Sequence, residues 1–283
     1  MFERLTTGWE LAKESFRVLR LDKELLLFPI FSGVACVLVM ASFAVPMFLT
    51  GAFDFFAEQS DTTTGKIIGG LVAFAFYFVN YFVIIFFNSA LVGCAVIRLK
   101  GGDPTVSDGF TTSMSRIPQI IGWALVSATV GMILKGLEQN SNKIGQFIIG
   151  LLGMAWSIMT FFVVPVLVIE KLGPIDAVKR SVSLMKQTWG ESLAANFSLK
   201  IIVFLASLLA IAPIVGGVFF LSNQATVVGF GMIALGVVLL LAISLISSAL
   251  NSIVLAALYV YAVEGKAPAQ FDSNLIRQAF APK

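Results

Sequence analysis

Six long apolar stretches divide this chain, and almost every charged residue lies between them. A run of about 20 apolar residues crosses a hydrocarbon core of ~30 Å, so each stretch is read as a membrane span. The spans are placed at Leu25–Thr50, Ile67–Ile97, Ile117–Leu134, Ile144–Ile169, Ile201–Leu221 and Val227–Val263. No Asp, Glu, Lys or Arg lies inside those limits. Outer-membrane barrels read as alternating ten-residue segments, and these runs are continuous, so the expected class is all-α and polytopic. Composition agrees. The chain is 58% hydrophobic and 12% charged, far from the ~25% charged residues of soluble domains.

The positive charges orient the spans. Sixteen of the 19 Lys and Arg residues fall in the N-terminal segment, the second and fourth connections and the C-terminal tail. Lys66, Lys135 and Lys143 are left for the other side. The expectation is a multi-pass protein of the cell membrane with both termini cytoplasmic. The N-terminus is expected to stay, because charged residues precede an apolar run too long for a signal peptide. Residues 1–265 read as a single six-span domain, and 266–283 as a cytoplasmic tail.

The cytoplasmic segments carry helical patterns at 1–22, 105–116 and 174–189. Phe2, Leu5, Trp9, Ala12, Phe16 and Leu19 recur at spacings of 3 and 4. Ile175, Val178, Val182, Met185 and Trp189 do the same after Pro174, a residue suited to a first helical turn. Glu10–Lys13 and Glu14–Arg17 are placed to pair at i,i+3. Such helices either lie in the headgroup layer or pack as a lid under the bundle. Each one leads into a two-span hairpin, which suggests three repeated helix-plus-hairpin units. Asn88-Ser89 precedes Gly102 by the same interval that separates Asn251-Ser252 from Gly265.

Chemistry is harder to find. The chain has no histidine, which removes the commonest general base and metal ligand. Cys36 and Cys94 fall in apolar stretches and form no metal or redox motif. Glu170, Asp176 and Glu191 cluster where a cation could bind, but they are expected to be solvated or paired with Lys171, Lys179 or Arg180. Gly229, Gly231 and Gly236, and likewise Gly145, Gly150 and Gly153, read as close helix packing. No catalytic residue, cofactor or metal site is assigned, and no nucleic acid is expected. The partners are the lipid bilayer and a membrane protein or a second copy. Polar residues in the spans are the better clue: Asn80, Asn88, Ser89, Asn196, Ser248, Asn251 and Ser252 either line a polar cavity or bond between helices. Asn88 and Asn251 are expected at equal depth, facing the bundle interior.

Several short motifs resemble those of an uncharacterised family of prokaryotic integral membrane proteins. Gly8-Trp9-Glu10-Leu11-Ala12-Lys13-Glu14-Ser15 and Lys23-Glu24-Leu25-Leu26-Leu27-Phe28-Pro29 carry the resemblance. So do Ile121-Gly122-Trp123-Ala124-Leu125, Val164-Pro165-Val166-Leu167-Val168-Ile169-Glu170, Lys179-Arg180-Ser181 and Thr188-Trp189-Gly190. More distantly the pattern resembles the membrane domain joined to some glycerophosphodiester phosphodiesterases. That resemblance implies a membrane fold and no activity, since the chain lacks a histidine and room for the catalytic domain. Two functions remain open: a non-enzymatic scaffold, lipid-organising factor or accessory subunit, or a channel or lipid/small-solute pathway lined by Asn and Ser.

Overall fold

A computed structural model describes residues 2–52, 58, 62–187, 191–268 and 270–271. For residues 2–8, 11–12, 187 and 191–200 it describes the helical backbone alone. The described residues form helices and connections, with no strand. The helices are α1 (Phe2–Leu21), α2 (Leu27–Leu49), α3 (Thr63–Leu99), α4 (Val106–Met114), α5 (Ile117–Gln139), α6 (Lys143–Met159), α7 (Pro174–Gln187), α8 (Glu191–Ser222) and α9 (Thr226–Glu264). A 3₁₀ turn at Lys23–Leu26 leads into α2, and a π turn at Val166–Glu170 follows α6. Among the described residues six stretches are long and apolar enough to cross a membrane: Lys23–Leu49, Thr63–Leu99, Ile117–Gln139, Lys143–Glu170, Ile201–Ser222 and Thr226–Glu264.

The chain forms two compact units. One holds residues 1–29, 95–104 and 187–283, and the other holds 30–94 and 105–186. In the first, α1 packs on α8 and α9, and α8 and α9 form an extended antiparallel pair. Glycines bring that pair together. A Cβ on Gly217 would lie 2.6 Å from the Gly229 carbonyl oxygen, and one on Gly236 would lie 3.0 Å from that of Ala210. The other glycines expected to do this do not. Gly150, Gly153 and Gly231 face open space, and Gly145 sits against its own cap, Ser141 and Asn142.

In the second unit α5 and α6 stack Trp123 on Trp156, ring centres 5.9 Å apart. Large rings thus take part in the contact between these helices, whereas Gly150 and Gly153 on α6 have nothing within reach of a Cβ. Helix α4 starts in a capping box. The Thr105 hydroxyl accepts from the Asp108 N–H, and the Thr105 N–H donates back to the Asp108 carboxylate. The Thr105 N–H, and with it the Thr105 hydroxyl, donates to the Asp108 carboxylate and holds that carboxyl below its ordinary pKa. The inner end of α3 packs on α4, where a Cβ on Gly93 would meet Thr112 at 2.8 Å.

Both long helices are unbroken. At ~1.5 Å per residue α3 is about 56 Å long and α9 about 58 Å, well beyond a ~30 Å core. The surplus is packed protein. Ser89–Val96 is buried throughout, and so is Ser252–Val260 except for the half-buried Leu255. In their respective units, α9 packs with α1 and α3 packs against α4.

The amphipathic helices form as expected, but they are rotated from the expected stripes. In α1 the buried face is Ser15, Val18 and Leu19, continued by Asp22, while Trp9 is 54% exposed and Phe16 38%. Phe2, Leu5 and Ala12 lie outside the described side chains. In α7 the buried residues are Ala177, Ser181, Leu184 and Met185. Ile175 is 69% exposed, and Trp189 lies outside the described residues. A small side chain admits a close neighbour, so Ser15, Ala177 and Ser181 turn inward. The bulkier Trp9, Phe16 and Ile175 stay on the open surface.

Candidate functional site

Each hairpin ends in the same backbone device. Gly101, Lys171 and Gly265 have φ of 88°, 61° and 67°, and Pro104, Pro174 and Pro268 each follow three residues later. A left-handed residue stops a helix, and the proline then sets a new direction. At α3 the Gly102 N–H reaches the Ile97 carbonyl and the Gly101 N–H that of Arg98. At α9 the Gly265 N–H reaches the Tyr261 carbonyl. The hairpins therefore align on Gly101 rather than on the expected Gly102, a shift of one residue. Of the three stops, Lys171 alone lacks glycine's freedom.

Charged side chains gather around these stops. In the first unit Arg98 forks between Asp22 and the exposed Asp103, and the Gln270 amide donates to the Arg98 carbonyl at 2.7 Å. The Asp22 side chain is 7% exposed and that of Arg98 17%, so this pair is mostly out of water. Lys100 meets Glu264 at 2.7 Å on the surface. Pro268 and Phe271 are buried, so the start of the tail is fastened to the same unit. Residues 272–283 of the expected tail lie outside the described ones.

In the second unit Arg180 donates to Glu170 at 3.0 Å, and Arg116 donates to the Val168 carbonyl at 3.1 Å. The chain turns between α6 and Val163, and the Phe162 N–H there finds a side-chain acceptor. The buried Ser181 hydroxyl accepts it at 3.0 Å. Asp176 pairs with Lys179, as Glu170 does with Arg180, matching the expected charge pairing. The Glu191 side chain lies outside the described ones. On α1, Glu14–Arg17 forms at 2.8 Å.

The polar span residues divide. Asn80 donates to the Phe76 carbonyl of its own helix, and Ser252 to that of Ser248. Ser89 is buried with no hydrogen-bond partner for its hydroxyl among the described residues, and Asn88 is half-buried. The Asn196 side chain lies outside the described ones. Ser248 and Asn251 line one cleft of about 470 Å³ with Val203, Phe204, Ser244, Ser247 and Leu250. Asn251 is exposed, which corrects its expected inward placement. The smaller Ser252 takes the packed position beside it, where little room is left for a side chain. Cys94 is buried and its thiol faces the Thr105 carbonyl at 3.4 Å, while Cys36 is half-buried.

Sequence reasoning missed the Asp22–Arg98–Asp103 cluster. The available signal was a lone Asp directly after the first amphipathic helix and a lone Arg ending a span. Among the described residues no group of His, Cys, Asp and Glu is arranged to hold a metal ion.

No curated protein matches the chain. Residues 67–269 match a family of unknown function, DUF6159, and the match brings no link to glycerophosphodiester phosphodiesterases. Spanning most of the chain, from early in α3 to just beyond the last hairpin stop, that match places the protein in the DUF6159 family.

Proposed function

We propose that this chain is a non-enzymatic protein of the cell membrane, with both termini cytoplasmic, that acts as a scaffold, lipid-organising factor or accessory subunit. One observation carries the reading. Several charged side chains near the hairpin stops are engaged with one another, as in Arg98–Asp22, Lys100–Glu264 and Arg180–Glu170. Groups used in this way hold helices in place. The open apolar surface of α1, Trp9 and Phe16, suits the headgroup layer.

Two measurements test this. The protein extracted in native nanodiscs should carry a defined lipid complement or a protein partner. Reconstituted in liposomes, it should pass no more ion or small solute than empty vesicles, and a flux above that level counts against the proposal. For orientation, a cysteine at Ser141 should react with an impermeant thiol reagent from outside intact cells, and one at Ser183 should not.

The second reading is a lipid or small-solute pathway. The cleft of Ser244, Ser247, Ser248 and Asn251 favours it. Flux that disappears in Asn251→Leu, in a protein that still folds, would select this reading over the first.

A further inference from the structure

A second concavity lies between α2 and α3, at the Lys66 end of α3 and wholly within one compact unit. Its volume is about 680 Å³, within the ~300–1,000 Å³ of small-molecule sites. Met40, Phe43 and Met47 form one wall, and Val72 and Phe76 form the other. Methionine and phenylalanine make an adaptable apolar lining. Along α3 the groove runs from Gly65 to Tyr77. Those twelve steps cover about 18 Å at ~1.5 Å each, close to the ~15 Å of one leaflet's hydrocarbon.

The two ends differ. At the mouth stands Lys66, exposed and without an ion pair to any described residue. At the other end is Tyr77, whose hydroxyl accepts from the exposed Lys135 ammonium at 3.0 Å, so the cation there already has a protein partner. Midway, Gly70 opens the wall: a Cβ there would meet nothing within 4 Å.

We propose that this groove binds one acyl chain of a glycerophospholipid from the adjacent leaflet, with the phosphate at Lys66. The length fits a chain, the walls fit methylenes, and the cation at the mouth fits an anionic head. The inference rests on the membrane disposition, but not on the choice between scaffold and pathway, so it can fail separately from either.

The test starts with the full wild-type chain in nanodiscs containing phosphatidylglycerol with a diazirine on its acyl chain. Photolabelling should concentrate on peptides carrying Met40–Met47 and Val72–Phe76, above the exposed apolar stretch Val227–Val238. Even labelling across those stretches overturns the proposal. In native mass spectrometry the wild type should retain one phosphatidylglycerol that Gly70→Phe loses at least tenfold. Ala44→Phe repeats the test from the opposite wall. Lys66→Gln should weaken phosphatidylglycerol about fivefold, the weight of one basic side chain at a lipid surface, and leave uncharged diacylglycerol unchanged. Folded Gly70→Phe and Ala44→Phe proteins that keep the lipid overturn the proposal. So does loss of a dimer in place of a lipid, which assigns the groove to a second copy.

Discussion

The two longest helices, α3 and α9, share a plan and differ in what fills it. Both run unbroken into a buried inner end, and both finish at a left-handed glycine three residues before a proline. Helix α3 is aromatic, with Phe74, Phe76, Phe78, Phe82, Phe86 and Phe87 along its length, and the Phe31, Phe87 and Phe110 rings packed about 6 Å apart. Helix α9 is aliphatic, glycine-packed near its start and serine-rich in its middle. The frame is therefore set by helix stops and buried inner ends, while side-chain chemistry on the outer faces is free to differ. Aromatic rings leave a groove beside α3, and small hydroxyls leave a polar cleft beside α9.

The largest expected effect separates the two charge pairs at the inner ends. Arg98→Ala strands Asp22 with little access to water and should cost about 3 kcal/mol, as breaking a buried pair does. Glu264→Gln removes an exposed pair with Lys100 and should cost under ~1 kcal/mol. Thermal unfolding in detergent orders the two. Equal shifts would mean that the ends of α3 and α9 depend on their ion pairs alike.

Glycine packing comes next. Gly217→Val drives a side chain into the Gly229 backbone and should cost about 2 kcal/mol, whereas Gly231→Val faces open space and should change stability little. The same unfolding assay reads both. A tolerated Gly217→Val would show that α8 and α9 part easily.

The caps make a finer test. Gly265→Ala should lose about 1 kcal/mol, since a Cβ is disfavoured in the left-handed region. Lys171→Gly should gain a similar amount, less glycine's larger entropy when unfolded. Matching signs for the two changes would break the alignment of the three hairpin stops.

Much of this frame is legible in the sequence, because a charge-free apolar run and a Gly–Pro stop are local signals. The Glu170–Arg180 pair is legible too, as its partners are ten residues apart in one connection. Asp22–Arg98 is not, since 76 residues separate them and only packing joins them. The rotation of α1 is hidden for a related reason. Spacing identifies an apolar stripe, but a neighbouring helix selects the face with the smallest side chains, and here that face includes Ser15. The α2–α3 groove leaves no motif, because it is a gap between ordinary apolar residues.

The smallest effect tests the Asn-Ser steps themselves. Asn88 is half-buried and interacts within the protein, while Asn251 is exposed beside the serine cleft and shows no hydrogen bond to a described residue. Interhelical polar contacts in membranes are worth ~0.6–2 kcal/mol. Asn88→Leu should therefore cost about 1 kcal/mol. Asn251→Leu exchanges an exposed amide for an apolar side chain and should be neutral or slightly stabilising. Opposite signs in detergent unfolding would establish that the matching sequence steps occupy unlike environments. A loss in both would show that Asn251 has a protein partner in the membrane, such as a second copy docked on the cleft. A neutral Asn251→Leu that nevertheless alters lipid retention or flux would locate function at the polar face of α9, where the two helices differ most.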